Sequence, residues 1–570
     1  MESLFKAFDF FLSCYNEQQK KAITSAAQHL LCVAGAGSGK TTVLTKRIEF
    51  LIRFRSVHPE QILAITFTRK AREEMQKRLS LAGIDGVHVE TFNSFCEKLL
   101  KKYSTIAYDK EMSVLSYKDK IELIHQALKK DNKTMQQALD LYYSPAKSKV
   151  AEELARGFMN DCFTVLEYYK NEGTEIDMFY LHDGLSIREK ASAKMVYAVC
   201  CEVMRLMNER GFRDYADQLL HTTHFFEQNK KYIPHYQHVL VDEYQDVNSA
   251  QITLIELLKW DNLFCVGDPR QSIFGWRGSK INYILDFQKK YSHCEVIPLV
   301  KNYRSAPLIV RLVNSAIISM KLPALESGVH HDGKACLLSF SSDIEEYTYV
   351  IEQIMKNSFK KSDIFVLART NRQLQELSNY MTLRGVNHIV RNEDNLAALK
   401  EDHVLLSTIH AIKGMEAECV FVIGCNSQNF PCKVGDHPIL DLVKKVDYNK
   451  QEEERRLFYV ALSRAKKELH LTTANGVTKF ITPEMEKLLD VRDVSNGVHV
   501  KKADAFERLR EWRREKSEEL GVPPYMVFHD SVLLDIAIRK PETLDDLEQV
   551  KGIGPTKIVK YGEELLRVLI

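Results

Sequence analysis

The chain has 570 residues, 45% of them hydrophobic and 27% charged, with a formal net charge of +2. That length calls for about three to four domains, and the composition excludes a disordered or fibrous chain. No apolar run reaches the roughly 18 residues of a transmembrane helix, and with a nearly neutral chain any basic surface must be local.

The first residues, Met1-Glu2-Ser3-Leu4-Phe5-Lys6, lack the basic start and small-residue cleavage site of a secretory signal. His29 to Ala34 is a short apolar run suited to a buried parallel strand. It leads into Ala34-Gly35-Ala36-Gly37-Ser38-Gly39-Lys40-Thr41, and Val43 to Arg53 then has the pattern of an amphipathic helix. Strand, glycine loop and helix together make a phosphate-binding loop. The glycines let backbone N–H groups converge on phosphates at a helix N-terminus. Lys40 suits the β and γ phosphates, and the Thr41 hydroxyl suits Mg²⁺.

Residues 97–210 are rich in helical patterns and carry no such motif. A second strand, His238 to Val241, ends in adjacent carboxylates. Asp242 suits the Mg²⁺ shell, and Glu243 suits orienting and deprotonating an attacking water. A third, Leu263 to Gly267, runs into Asp268-Pro269-Arg270-Gln271, which places Gln271 as a γ-phosphate sensor. Ala335 to Phe340 and Asp363 to Arg369 have the pattern of further strands. Arg304 and Arg464, in later segments, suit clamping the charge that develops on a transferring phosphate.

The 12 cysteines contain no C-x-x-C pair, so neither a structural zinc nor an iron–sulfur cluster is expected from spacing. Lys129-Lys130, Lys360-Lys361 and Lys501-Lys502 are candidate basic patches, and each also fits a plain solvated face. Residues from Thr472 to Val500 lose periodicity and form a connection, with Asn496-Gly497 as a turn. Helical patterns resume at Ala505–Leu520 and Asp530–Ala537. Lys551-Gly552-Ile553-Gly554-Pro555-Thr556-Lys557 then opens a last helix. Gly552 and Gly554, with Lys551, Lys557 and Lys560, fit either a phosphate-contacting helix start or a simple turn with solvated lysines.

Further motifs complete the pattern. They are Tyr15-Asn16-Glu17-Gln18-Gln19, Thr66-Phe67-Thr68-Arg69-Lys70-Ala71, Thr91-Phe92-Asn93-Ser94-Phe95 and Gly267 to Gly278. Ser407 to Glu416 and Glu453 to Ala465 follow in order. With these the chain resembles superfamily 1 helicases of the UvrD/Rep/PcrA type, and its C-terminal part resembles an HRDC domain. The resemblance implies an α/β fold of two RecA-like parallel-sheet domains, with a helical insertion in the first and a small all-α C-terminal domain. The implied domains are residues 1–96 with 211–295, a helical insertion 97–210, a second RecA-like domain 296–475, a linker 476–502 and the HRDC-like domain 503–570.

The same resemblance gives Gln19 an adenine-reading role and Tyr303 an adenine-stacking one. It puts Thr42, Arg304, Glu416 and Arg464 at the nucleotide and implies ATP with Mg²⁺. Phe67, Phe92, Phe274, Trp276, Arg277 and His410 are implied DNA contacts. Aromatic platforms of this kind contribute about 1–3 kcal/mol per stacked base. Two departures stand out. Thr42 occupies the position where the family often has an adenine-stacking arginine, and Phe274 stands where Tyr is usual.

A third departure is that Arg304–Val404 is too short for the family's large second insertion once the domain's own strands are placed. The implied activity is ATP-driven 3′-to-5′ movement on single-stranded or tailed duplex DNA, in repair, recombination or replication. A protein-stripping translocase with little unwinding, or a non-catalytic DNA-binding scaffold, are the alternatives. A cytoplasmic location (nucleoid-associated in a bacterium or archaeon), no membrane partner, and a protein partner for the HRDC-like module complete the expectations.

Overall fold

Runs of fully apolar residues set the architecture, because a parallel sheet covered on both faces needs strands buried on both sides. The computed structural model describes residues 2–143, 151–392, 400–433, 437–443, 449–494 and 505–569. They divide into two compact units: residues 1–310, 317–330 and 434–459, and residues 311–316, 331–433 and 460–570.

The first unit is built on six parallel strands: β1 (His29–Ala34), β2 (Ile62–Thr66), β3 (His88–Thr91), β4 (His235–Val241), β5 (Lys259–Gly267) and β6 (Glu295–Leu299). Their order is β3-β2-β4-β5-β1-β6. All five residues of β2 are buried. The expected division after residue 295 shifts, because β6 pairs with β1 from Leu30↔Glu295 to Ala34↔Leu299 and so belongs to this first sheet.

Between β3 and β4 the chain is helical. The first helix, α1 (Phe92–Lys102), starts where β3 ends, and the last, α2 (Tyr215–Gln228), packs with it in the core beneath the sheet through Phe95, Leu219 and Phe225. The helices between them bury a separate core that includes Leu123, Phe158, Val196 and Val199. A buried ion pair, Arg213 to Glu97 at 2.9 Å, ties that layer to α1. One part of it comes from far along the sequence. Ile439, Leu440 and Val443 lie in the same core, and the His437 ring stacks on Tyr142 with centroids 3.6 Å apart.

The second unit has seven parallel strands: β7 (Lys334–Phe340), β8 (Ile364–Ala368), β9 (His388–Arg391), β10 (Val404–Thr408), β11 (Ala417–Val422), β12 (Ala465–Ala474) and β13 (Asp490–Asp493). They run in the order β9-β10-β8-β11-β12-β7-β13. The expected all-α C-terminal module is present as helices Ala505–Leu520, Asp530–Arg539 and Pro555–Leu569 with two short ones between. Phe506, Leu509, Leu533 and Ile536 share one apolar cluster with Tyr347, Leu377 and Tyr380 of the sheet's covering helices. The expected Asn496-Gly497 turn and the Lys501-Lys502 patch lie outside the described residues.

A carboxylate is buried in the second unit without a cation as its hydrogen-bond partner. Glu346 is 1% exposed and its Oε1 accepts from the Gly424 N–H at 2.7 Å and from the Thr472 hydroxyl. Burial, with Asp343 nearby, pushes its pKa from 4.5 up to about 7. The folded state therefore holds a proton that the unfolded chain releases between those values. Stability falls as pH rises through that window and levels off above it. Glu346→Gln keeps both accepted hydrogen bonds and removes this term. Thermal unfolding at pH 8 is expected to show the variant more stable by up to about 3 kcal/mol, with the difference vanishing near pH 4.

Candidate nucleotide site

The first sheet sends three neighbouring strands, β4, β5 and β1, to one edge, where ligands of open α/β sheets bind. The loop after β1 needs its glycines for geometry. Gly37 and Gly39 have φ of +69° and +83°, and a Cβ on Gly37 would stand 2.7 Å from the Cβ of Arg304. The helix Lys40–Arg55 follows with Gly39 at its cap and no side-chain acceptor there, so its first N–H groups remain turned toward the loop. Lys40 and Thr41 are half-buried at that start.

The loop is braced from two directions. Asn302 donates through Nδ2 to the Ala36 carbonyl at 2.8 Å, and the Tyr303 N–H donates to the Gly37 carbonyl at 2.8 Å. From the other side the Gln19 amide donates to the Ser38 carbonyl at 3.1 Å while its oxygen accepts from the Asn16 N–H at 3.1 Å. Asn16 in turn donates to the Tyr303 hydroxyl at 2.7 Å. One amide hydrogen and one lone pair of Gln19 are left by these two bonds. Sequence reasoning missed Asn16 and Asn302, whose roles depend on contacts with distant parts of the chain.

It also missed Arg78. Its guanidinium donates to Thr42 Oγ1 at 3.2 Å and pairs with Glu74 at 2.5 Å. It is close enough to Tyr15 to favour the ionised phenol, although burial raises that group's pKa overall. A cation thus stands beside position 42, supplied by the helix Arg69–Leu81 rather than by residue 42 itself.

At the end of β4, Asp242 is 3% exposed, and burial with Glu243 beside it pushes its pKa up to about 7 against the pull of Lys40. A buried carboxylate beside the loop, short of positive charge, has the chemistry of a hard-cation ligand and fits Mg²⁺ with the Thr41 hydroxyl. Glu243 sits at φ +49°, a left-handed conformation that costs a non-glycine residue of order 1 kcal/mol or more. Gln245, fully buried, holds it there. Its Nε2 donates to Glu243 Oε2 at 2.6 Å and to Asp246 Oδ2 at 3.1 Å, and its Oε1 accepts from the Asp268 N–H at 2.9 Å. Asp268 accepts from Gln271 Nε2 at 2.7 Å and pairs with Arg270 at 3.2 Å. The expected acid and sensor are therefore joined through Gln245 and Asp268.

The later motif residues divide between the units. In the helix Lys450–Leu462, the Glu453 carboxylate accepts from the Gly275 N–H at 2.9 Å, and Arg456 Nε donates to the Ser272 carbonyl at 2.6 Å. Arg304 stands beside Gly37 in the first unit, although sequence order alone groups it with the second half. Arg464 belongs to the second unit. It is 1% exposed and donates to the carbonyls of Val460 at 3.0 Å and Met415 at 3.1 Å. Glu416 is exposed and pairs with Lys466 at 3.1 Å, and His410 is half-buried in the same unit.

The aromatic candidates do not all survive. Phe92 is 2% exposed in the core beneath the first sheet, so it presents no face to a base, and its expected DNA contact is corrected to a packing role. Phe67, half-buried, packs edge-on against it with centroids 6.4 Å apart. Phe274 and Trp276 are half-buried on the loop after β5, with the exposed Arg277 guanidinium 4.4 Å from the Trp276 ring. In the C-terminal module, Lys557 lies 4.4 Å over the Phe528 ring and Lys560 lies 5.1 Å over Tyr561.

Known proteins match this arrangement. The model of the UvrD/REP helicase N-terminal domain covers residues 15–292, that of the UvrD-like helicase C-terminal domain covers residues 297–396 and 388–476, and that of the HRDC domain covers residues 502–569. The chain belongs to the UvrD/REP helicase family. Among its curated relatives, an ATP-dependent DNA helicase PcrA from Staphylococcus aureus is 31% identical over 417 residues, 70% of this chain and 54% of that one. The protein of the same name from Staphylococcus epidermidis is 31% identical over 413 residues, 70% and 53% of the two chains. The chain thus spans about half the length of the curated relatives it matches.

If Gln245 positions both the acid and the sensor strand, Gln245→Met is expected to lower kcat for nucleotide hydrolysis about a hundredfold. KM should move little. Steady-state kinetics beside a thermal melt checks this: an unchanged kcat in a folded variant refutes the positioning role.

Proposed function

We propose that this chain is an ATP-dependent DNA helicase or translocase that moves 3′-to-5′ on single-stranded DNA. The observation that supports it best is the linked set Lys40, Asp242, Glu243, Gln245, Asp268 and Gln271 at one edge of the first sheet. In this reading the first RecA-like domain holds ATP, residues 97–210 are its helical insertion, and the second sheet is the second RecA-like domain. Residues 503–570 are the HRDC domain, taking DNA or a protein partner.

Lys40 and the loop N–H groups hold the phosphates. Asp242 and Thr41 would hold Mg²⁺, which would supply charge neutralisation at the phosphates. Glu243 takes the proton of the attacking water, and its left-handed backbone fixes the carboxylate's direction. Gln271 senses the γ-phosphate from across Asp268. Arg304, beside Gly37, meets charge that develops during transfer, and Arg464 keeps the charge-clamping role that the family resemblance implies. Gln19 keeps one donor and one acceptor, the pair that reads an adenine edge. Tyr303, 42% exposed, offers its ring to adenine. Phe274, Trp276, Arg277 and Phe67 of the first unit contact DNA, without Phe92, and His410 of the second unit is a separate DNA contact.

Arg78 in this reading supplies the cation that Thr42 lacks. Arg78→Ala is expected to raise KM for ATP about tenfold with kcat nearly unchanged, since the loss falls on ground-state binding. A fall in kcat at unchanged KM removes Arg78 from the adenine site.

The central test is steady-state ATPase activity with and without single-stranded DNA, followed by strand displacement on 3′-tailed and 5′-tailed duplexes. Stimulation by DNA and preference for the 3′ tail are expected, with Lys40→Ala silent for hydrolysis yet still binding DNA. Absence of stimulation supports the scaffold reading, and preference for the 5′ tail reverses the polarity. A protein-stripping translocase with little unwinding is the second reading, favoured by the short Arg304–Val404 stretch. That stretch is largely taken by β7, β8, β9 and the helices between them.

A further inference from the structure

The second sheet brings together side chains that neither the motifs nor the hydrolytic chemistry use. In parallel register, Cys419 of β11 lies opposite Glu468 of β12, Phe421 opposite His470, and Cys336 of β7 opposite His470. Side chains two residues apart on a strand share a face, and so do registered neighbours. These four polar groups therefore form a diagonal band across β11, β12 and β7.

The geometry is that of a ligand set. One ligand atom from each of Cys419, Glu468 and His470 lies within 4.8 Å of the others. His470 Nε2 stands 3.6 Å from Glu468 Oε2, close to the ~3.3–3.5 Å between nitrogen or oxygen ligands of a tetrahedral zinc ion. The other ring nitrogen, Nδ1, is 3.2 Å from Cys336 Sγ, which fixes the imidazole from behind as outer partners of metal-bound histidines do. Phe421 stacks on the ring with centroids 4.5 Å apart, holding its plane. Cys419 is fully buried, while the side chains of Glu468 and His470 are 19% and 15% exposed, so the set is closed on one side and open to solvent on the other. Lys334 approaches Glu468 Oε1 at 3.6 Å, but it is 84% exposed and free to swing away.

We propose that Cys419, Glu468 and His470 form a zinc site on the second sheet, with Cys336 as the outer partner of His470. Binding replaces the Cys419 S–H bond by a thiolate–zinc bond and releases the proton to solvent. Thiolate, imidazole and carboxylate donors select zinc over magnesium or calcium. The regular pairing of β11 and β12 slips between Ala417 and Cys419. A metal at this point staples the two strands beside that irregularity, next to the segments that end in Glu416 and begin after Arg464. C-x-x-C spacing does not signal such a site, because its ligands are gathered by tertiary strand pairing.

The test is a cobalt titration of the full chain, stripped of metal with a chelator and kept reduced. One equivalent of Co²⁺ is expected to give a thiolate-to-metal charge-transfer band that zinc then displaces. Cys419→Ser should abolish the band, and Cys336→Ser should weaken Co²⁺ binding by about 10- to 100-fold. Cys200→Ser, a buried thiol elsewhere, should leave it unchanged. If Cys419→Ser does not fold, as judged by circular dichroism, His470→Gln replaces it with the same expected loss. No band, a band that persists in the ligand variant, or one lost in Cys200→Ser overturns the site.

Discussion

The nucleotide edge depends on one buried amide. Gln245 satisfies the N–H at the end of β5 with its oxygen and holds the carboxylates of Glu243 and Asp246 with its nitrogen. A group with that many partners in a low-dielectric interior is costly to leave half-satisfied, so its geometry is strongly determined. The sequence around it is shaped by the same constraint. Gly267 is the residue type that fits, because a Cβ there would stand 2.5 Å from Gln245 Oε1. The strained backbone of Glu243 persists because Gln245 and the bond from its own N–H to Asp242 hold it from both ends.

From that amide the order spreads along hydrogen bonds. Asp268 takes up Gln271 and Arg270, and the loop after β5 is gripped by Glu453 and Arg456. Arg464 follows the Glu453–Arg456 helix by two residues. The loop bearing Phe274 and Trp276 is thus bonded at one end to the acid and sensor strands and at its middle to the helix that leads to Arg464. Couplings of this kind carry a change at a phosphate to a distant surface when the elements have two discrete arrangements.

What the sequence made legible was local. The strand–loop–helix from His29 to Arg55, the paired acids after β4 and the helices of the C-terminal module each depend on residues close together in the chain. What it concealed was tertiary. Phe92 sits in a motif associated with DNA, yet it opens the helix after β3 and is buried in the core. Position 42 lacks an arginine in the sequence, while Arg78 reaches it from another helix. Residues 437–443 carry no motif, and their docking on Tyr142 follows from a surface built 295 positions earlier in the chain. The Cys, Glu and His band on the second sheet is invisible for the same reason.

The C-terminal module raises a question of rigidity that its helical pattern alone leaves open. A module tied only by a linker samples a volume set by that linker's length. Here its core does not close on itself, since Phe506 packs edge-on against Tyr380 and one apolar cluster runs from the sheet's covering helices into Leu533 and Ile536. Separating the two would expose the joined faces, at a cost of about 25 cal/mol for each Å² of apolar surface. The module and the helices covering the second sheet therefore share one apolar core.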